Sequence, residues 1–97
     1  MTRFADIRQW AQDRNLIEGA TVQAQTVKLM EECGELAAGI ARGDKEKIVD
    51  SIGDAIVVLT IMAAQCGMPV EACIESAWQE IKDRKGRMVD GIFVKDA

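Results

Sequence analysis

Hydrophobic side chains recur at intervals of three and four residues along most of the chain, the spacing of one face of an α-helix. Four such stretches follow one another, separated by short polar or glycine-containing segments. The first is short: Phe4, Ile7 and Ala11 lie on one face, and Thr2 is suited to cap its start. A connection over 15–20 follows. The pattern predicts an all-α domain that begins with a short helix.

The second stretch predicts a helix over 21–42 with its apolar side chains on one stripe. Gly43 suits the residue that ends this helix, and Asp44 suits the N-cap of the next one. Because this connection is so short, the second and third helices should be antiparallel neighbours.

The third stretch, over 45–66, is apolar nearly all round between residues 55 and 64. A helix without a polar face is normally buried on every side. A chain of 97 residues can hardly wrap such a helix alone, so we expect a dimer or a higher oligomer. The run is shorter than the roughly 20 residues that span a bilayer, so no membrane partner is expected.

The fourth stretch predicts a helix that ends near Lys85, followed by an extended arm over 88–95 with a turn at Asp90 and Gly91. Glycine should end the third helix, proline should occupy the first position of the fourth, and glycine should stop the fourth. These three residues are Gly67, Pro69 and Gly86. The predicted fold is an all-α four-helix bundle, one domain over 1–97, with an antiparallel central pair and a short extended C-terminal arm.

Composition narrows the chemistry. The 97 residues include 16 acidic and 12 basic side chains and no histidine, for a net charge of −4. An acidic chain is poorly suited to a nucleic-acid backbone, so no nucleic-acid partner is expected. The lack of histidine excludes imidazole bases and histidine-containing metal sites, including the ferritin-like di-iron cage with its Glu-x-x-His pairs.

The cysteines, Cys33, Cys66 and Cys73, are odd in number and none are in Cys-x-x-Cys spacing. A disulfide framework or a zinc site is therefore not expected, and we interpret them as small buried side chains in a reducing compartment. The N-terminal residues have no apolar signal segment. These features predict a cytoplasmic protein.

Acidic residues gather on two helices. Glu31, Glu32 and Glu35 share one face of the second helix, and Asp54 lies on the apolar stripe of the third with Asp50 one turn earlier. Because of this position we expect Asp54 to be buried. A buried carboxylate is stable only when it is protonated or paired with a cation. Antiparallel pairing brings both sets together, and ligation by oxygen alone favours Mg²⁺, with Mn²⁺ as an alternative.

Simpler interpretations exist for both sets. A run of glutamates on a helix is usually a solvated face, here loosely paired with Lys28 and Arg42. For Asp54 the simpler interpretation is a buried salt bridge or a role at a helix end. Neither is excluded by spacing alone.

The segments 31–35 (EECGE) and 50–54 (DSIGD) together resemble the EExxE…ExxD signature of the MazG-like, all-α nucleoside triphosphate pyrophosphohydrolases. The resemblance extends over 25–95, and the ending over 83–95 is similar to a small subgroup common in phages and bacteria. The paired motif is fairly specific, whereas either half alone would be weak.

This resemblance implies a helical domain that assembles as dimers or tetramers. It also implies Mg²⁺-dependent hydrolysis of a (deoxy)nucleoside triphosphate to monophosphate and pyrophosphate, in nucleotide-pool control or house-cleaning. Glu32, Glu35 and Asp54 match metal-ligand positions of the family. The remaining family position, a glutamate, is Ser51 here, and Asp50 one residue earlier is the candidate replacement.

Candidates for catalysis and for substrate binding follow from this resemblance and from the chemistry of the reaction. A carboxylate not fully used by the metal, Glu31 or Glu35, could take the proton of the attacking water. A triphosphate needs further positive groups, and the basic cluster near the end of the fourth helix could supply them, although basic residues also favour helix C-termini. The candidates are Lys28, Arg84, Lys85 and Lys95 for the phosphates, and Trp10 and Gln25 for the base.

Two other function classes remain open. The chain could be a catalytically silent helical module that binds a nucleotide or a partner protein, having lost the carboxylate at Ser51. It could also be a purely structural oligomerising bundle. Asp54 argues against the last, because a structural bundle has no reason to place an acid on an apolar stripe.

Overall fold

Four helices and one two-stranded hairpin make up the fold. The structure, a computed structural model, describes residues 2–97. The elements are α1 (Arg3–Asp13), α2 (Val22–Arg42), α3 (Lys45–Gln65), α4 (Val70–Ile81), β1 (Gly86–Val89) and β2 (Ile92–Lys95). The predicted all-α class is confirmed, and α2 and α3 form its centre.

Side-chain caps begin three of the helices. The hydroxyls of Thr2 and Thr21 accept backbone hydrogen bonds from the first turns of α1 and α2 at 3.1 and 3.0 Å. The Asp44 carboxylate does the same for α3 at 3.2 Å. Each cap satisfies an N–H that has no partner within its helix. Gly43 ends α2 in the left-handed region at φ 65°, as its position predicted.

The central pair approaches closely at Gly39, a buried residue of α2. A methyl group on Gly39 would lie 3.3 Å from Ile48 Cγ1 and from Cβ and Cγ of Lys47. The aliphatic stem of Lys47 therefore lies directly over Gly39. The absence of a side chain at this position allows the start of α3 to rest on the end of α2.

The core of the single chain is small and centred on α3. Its buried apolar residues include Val58 and Ile61 of α3, Ala11 of α1 and Val70 of α4. Arg8 of α1 and Glu71 of α4 form an ion pair with two hydrogen bonds, one of them 3.1 Å long. The hydrogen bond from Arg8 lowers the pKa of Glu71. This pair ties the first turn of α4 to α1.

Three predictions about the fourth helix are wrong in detail. It ends at Ile81 rather than near Lys85, and Pro69 is its N-cap rather than its first residue. Gly86 begins a strand instead of stopping a helix. The physical reason is pairing with the end of the chain, because the backbone N–H of Asp96 donates to the Lys85 carbonyl at 2.8 Å and extends the hairpin past its strands.

The predicted turn at Asp90 and Gly91 is present and closes a β-hairpin. Both residues have positive φ, 51° and 79°, as a two-residue type I′ turn requires. Gly86 pairs with Lys95, and the Phe93 ring lies over Gly86. A Cβ on Gly86 would lie 2.5 Å from Phe93 Cζ and would collide with the Val94 carbonyl oxygen.

We expect Gly86→Ala to open the hairpin without disturbing the central helices. Overpacking of this kind costs about 1–3 kcal/mol. Hydrogen exchange should show lost protection at the amides of β1 and β2 and unchanged protection in α2 and α3. Gly34→Ala is the matched control, because nothing lies within 4 Å of its added methyl group. This control should stabilise α2 by about 1 kcal/mol. Equal protection of the hairpin in wild type and Gly86→Ala would contradict the steric argument.

The prediction that the cysteines are buried is wrong for the single chain. Cys33, Cys66 and Cys73 are all free and exposed. The sequence pattern placed them correctly on or beside apolar stripes, but one chain covers only part of those stripes. Burial requires a neighbouring element, which the single chain does not supply at these positions.

One side of α3 is also left uncovered. Val49, Ile52, Ile56 and Leu59 form an exposed apolar stripe on it, and the least exposed of them, Ile56, is 41% accessible. By length and composition alone, α3 is apolar enough to cross a bilayer, although a core helix of a soluble protein meets the same test. The expectation that one chain cannot wrap α3 therefore agrees with the structure.

Candidate active site

An open cleft of about 360 Å³ lies where the middle of α2 faces the N-terminal half of α3. One lining residue comes from α2, one from the connection and five from α3. We call it the acid cleft, and its lining residues are Glu35, Asp44, Glu46, Lys47, Asp50, Ser51 and Asp54. Five carboxylates therefore face one ammonium group.

Glu32, Glu35 and Asp54 converge from two helices beside this cleft. Glu32 is buried, with 7% of its surface accessible, and its Oε2 has no hydrogen-bond partner. Burial raises the pKa of Glu32, and the negative charges of Glu35 and Asp54 raise it further, while Lys28 opposes the rise. Glu35 and Asp54 are therefore close enough to Glu32 for their charges to act on it.

The donor set has the chemistry of a divalent-cation site but not its geometry. Within residues 2–97, no three cysteine or carboxylate side chains lie close enough to hold an ion in their present positions. Neighbouring carboxylates repel one another when nothing neutralises them. The buried Oε2 of Glu32 has no partner to stabilise its charge. Ligands that are all oxygen atoms suit Mg²⁺ or Mn²⁺. The chemistry of these oxygen donors suits such an ion, whereas their present spacing does not form a site for it, and the metal site stays a prediction.

Asp54 is exposed, so the prediction that it is buried is wrong. It does share the helix face of Val58 and Ile61, which are buried. Asp54 nevertheless lines the acid cleft, which is open to solvent. The spacing correctly predicted the face, but burial along a face changes with the distance to the neighbouring helix.

Ser51 and Asp50 differ in their surroundings. Ser51 is 1% exposed and lies at the base of the acid cleft, where the family motif has a glutamate. Asp50 is exposed and lines the same cleft. The structure thus brings Asp50 to the cleft that contains Glu35 and Asp54.

Glu31 lies apart from this group. Its Oε2 is 3.6 Å from the Lys28 Nζ, and both side chains are more than half exposed. Glu31 does not line the acid cleft. Its neighbour Lys28 still influences the site, because its charge lowers the pKa of Glu32.

A second depression, which we call the apolar groove, adjoins the acid cleft. It has a volume of about 460 Å³, and its lining residues are Asp6, Ile7, Trp10, Asp54 and Val57. Asp54 belongs to both depressions, so Trp10 shares a groove with one carboxylate of the acid cleft. The Arg14 guanidinium lies 4.5 Å from the centre of the Trp10 ring. Gln25, the other predicted base contact, is half-buried on α2 and lines neither depression.

The predicted phosphate-binding residues of the C-terminal segment lie elsewhere. Arg84 and Lys85 precede β1 and Lys95 ends β2, and all three are exposed. None of them lines the acid cleft of its own chain. Within one chain, the structure does not bring these cations to the carboxylates.

Sequence reasoning missed one cation in the cleft. Lys47 lines it and is half-buried, with its stem over Gly39. Lys47 precedes Asp50 by three residues and Asp54 by seven, the spacing of one helix face. That spacing was a usable signal, because it placed a lysine on the carboxylate-bearing face.

Comparison with known proteins gives the family. The family model of the MazG nucleotide pyrophosphohydrolase domain matches residues 20–88. The chain is 55% identical over 60 residues to an uncharacterised 18.2 kDa protein from the rep-hol intergenic region of Haemophilus phage HP1. That match covers 62% of this chain and 37% of the phage protein, so the chain spans little more than a third of that relative. No solved structure matches the chain. The matched residues include the segments 31–35 and 50–54, which carry Glu35, Asp50 and Asp54 of the acid cleft. The chain therefore belongs to the MazG nucleotide pyrophosphohydrolase family.

Proposed function

We propose that this chain hydrolyses a (deoxy)nucleoside triphosphate to the monophosphate and pyrophosphate, with Mg²⁺ or Mn²⁺ held by Glu32, Glu35, Asp50 and Asp54. The observation that carries the proposal is the buried, unpartnered Oε2 of Glu32 beside the carboxylates of Glu35 and Asp54. Membership of the MazG family supports the reaction class. The proposed setting is the cytoplasm, in nucleotide-pool control or house-cleaning.

The reaction requires water to attack a phosphorus atom and the bond between the α- and β-phosphates to break. When bound, the divalent ion supplies neutralisation of charge on the phosphate oxygens. Glu35 is exposed and lines the acid cleft, so its carboxylate is placed to accept the proton of the attacking water. Such a base contributes about 10²–10⁴-fold to a rate. Glu31, the other predicted base, is paired with Lys28 outside the cleft, which favours Glu35 for this role.

The apolar groove suits the nucleobase. Trp10 and Ile7 offer an apolar wall, and Asp54 joins this wall to the acid cleft. A nucleotide placed across both depressions would set its base against Trp10 and its phosphates beside the carboxylates. Aromatic faces bind flat, partly apolar rings well.

The product of the reaction tests the proposal. We expect a panel of ribo- and deoxyribonucleoside triphosphates with Mg²⁺ to yield monophosphate and pyrophosphate, and no orthophosphate. Release of orthophosphate as the primary product would overturn the assignment of the cleaved bond. Asp50→Ala should also lose most activity, because Asp50 replaces the family glutamate that is Ser51 here. Full activity of Asp50→Ala would show that three carboxylates suffice.

A catalytically silent binding module is the second candidate, and the buried Ser51 favours it because a ligand position of the family carries no charge here. A nucleotide that binds the folded chain alone raises its melting temperature. A rise in melting temperature with Mg²⁺ and nucleotide, but no product from any nucleotide, would establish this alternative.

Lys47 should contribute to substrate binding rather than to the chemical step. Its ammonium group lines the acid cleft, and no carboxylate in residues 2–97 lies within ion-pair distance of it. A hydrogen bond to a charged group is worth about 1.5 kcal/mol or more, so Lys47→Met should raise KM about tenfold with little change in kcat. Lys45→Met is the control, since Lys45 does not line the acid cleft. A changed kcat with unchanged KM would contradict this role.

We also propose that the chain acts as a homodimer or a homotetramer. The exposed apolar stripe on α3, from Val49 to Leu59, supports this. Its members are three and four residues apart, which is the spacing of a helix-to-helix contact. Association would remove this stripe from water.

A further inference from the structure

The last quarter of the chain is exposed over its whole length. Every residue from 72 to 97 is exposed. We call residues 72–97 the arm; it consists of α4 after its first residues, the hairpin and the links between them, and it includes the shorter extended arm that the sequence predicted over 88–95. Ile74, Trp78 and Ile81 form an exposed apolar stripe on its helix, and Phe93 is 49% accessible in its hairpin. An isolated two-stranded hairpin is marginally stable in water, so the arm requires a covering surface.

The accessible area and the radius of gyration indicate how much of the surface a partner would have to cover. The accessible area is 7184 Å², whereas a compact chain of this mass exposes about 5,500 Å². The radius of gyration is 15.9 Å, against about 12.5 Å for a compact domain of this length. The excess of about 1,700 Å² per chain is the area that each partner of an obligate dimer buries.

The charge of the arm indicates which surface of a partner it would bind. Residues 82–95 carry five basic and two acidic side chains. The acid cleft has the opposite balance, with five carboxylates and one ammonium. Of the ion pairs within residues 2–97, none involves an arm cation or a cleft carboxylate. One chain therefore carries two complementary surfaces that it does not join to each other.

We propose that the arm is exchanged between two copies of this chain, so that the arm of one copy lies across the acid cleft of its partner. Arg84, Lys85 and Lys95 then face carboxylates of the other chain and bind the phosphates of its substrate. This phosphate-binding role rests on the proposed function, but the exchange itself rests on exposure, area and charge. Each site would be complete only in the assembly.

Mixing two inactive variants tests the exchange. Asp54→Asn damages the cleft, and the triple variant Arg84→Gln, Lys85→Gln, Lys95→Gln damages the arm. Each should be nearly inactive alone. In dimers formed by refolding them together at equal amounts, half would be hybrids, each with one intact cleft facing one intact arm. The mixture should therefore recover about a quarter of wild-type activity. No recovery in verified hybrids would overturn the exchange.

A second measurement does not depend on activity. Wild-type chains labelled with ¹⁴N and ¹⁵N are refolded together and treated with a carbodiimide, which joins amines to carboxylates in contact. We expect Lys85 or Lys95 to be coupled to a carboxylate of the acid cleft in peptide pairs of mixed isotope. Pairs of a single isotope only, or no coupling, would overturn the exchange. Mixed pairs from a chain that hydrolyses no nucleotide would overturn the proposed function and the phosphate-binding role, and leave the exchange standing.

Discussion

Asp54→Asn should lower kcat by about 10³-fold or more while the chain keeps its fold. Asp54 is the residue shared by the acid cleft and the apolar groove. Charge stabilisation at a metal-assisted site is worth several kcal/mol, and each 1.4 kcal/mol changes a rate tenfold. Asparagine keeps the size of the side chain and removes its charge. Because Asp54 is exposed, its replacement should leave the free energy of unfolding nearly unchanged.

The control for this variant is Asp13→Asn. Asp13 accepts a hydrogen bond from Gln9 at 2.8 Å, which the asparagine oxygen can also accept, and it lies outside both depressions. Steady-state pyrophosphate release and circular dichroism measured on both variants separate catalysis from folding. Substantial turnover by a folded Asp54→Asn protein would remove Asp54 from the proposed metal site.

Glu32→Gln should have opposite effects on activity and stability. Turnover should fall by at least about 10²-fold, because a proposed ligand loses its charge. At neutral pH the melting temperature without metal should rise. The pKa of Glu32 is raised in the folded chain, so its ionised form is less favourable there than in the unfolded chain. Glutamine removes that penalty and keeps the shape of the side chain.

The pH dependence of this stabilisation has a definite sign. Below the ordinary carboxyl pKa, Glu32 is protonated in both states and the variant has no advantage. The advantage should develop as pH rises through the range between the ordinary and the raised pKa, and stay constant above it. Glu31→Gln is the stability control, since Glu31 is exposed beside Lys28. A Glu32→Gln chain that melts below wild type at neutral pH would contradict the burial penalty.

Local features of the fold were predictable because short-range geometry determines them. Thr2 and Asp44 cap their helices as expected, and Gly43 takes the left-handed conformation between α2 and α3. Because only two residues connect α2 and α3, these helices run antiparallel. The approach of Glu32 and Glu35 to Asp54 followed from helix periodicity and this connection together.

Burial was much less predictable. Periodicity indicated the correct face for Asp54 but not that this part of the face lines an open cleft, because periodicity does not give the shape of the surface between two helices. The cysteines were assigned to a core that one chain does not complete. The end of α4 was also missed, because it depends on pairing between the segments near Lys85 and Asp96 rather than on helix periodicity.

The direct connection between α2 and α3 also has a consequence for the order of folding. Most contacts in the body of this chain join residues close in sequence, and proteins with such local contacts fold in microseconds to milliseconds. Glu35 and Asp54 lie on either side of this connection. The acid cleft should therefore form early in a single chain, whereas the arm would become ordered later, at a rate that depends on protein concentration. If the chain has the proposed activity, freshly diluted, refolding protein should then show a lag in activity that shortens as concentration rises.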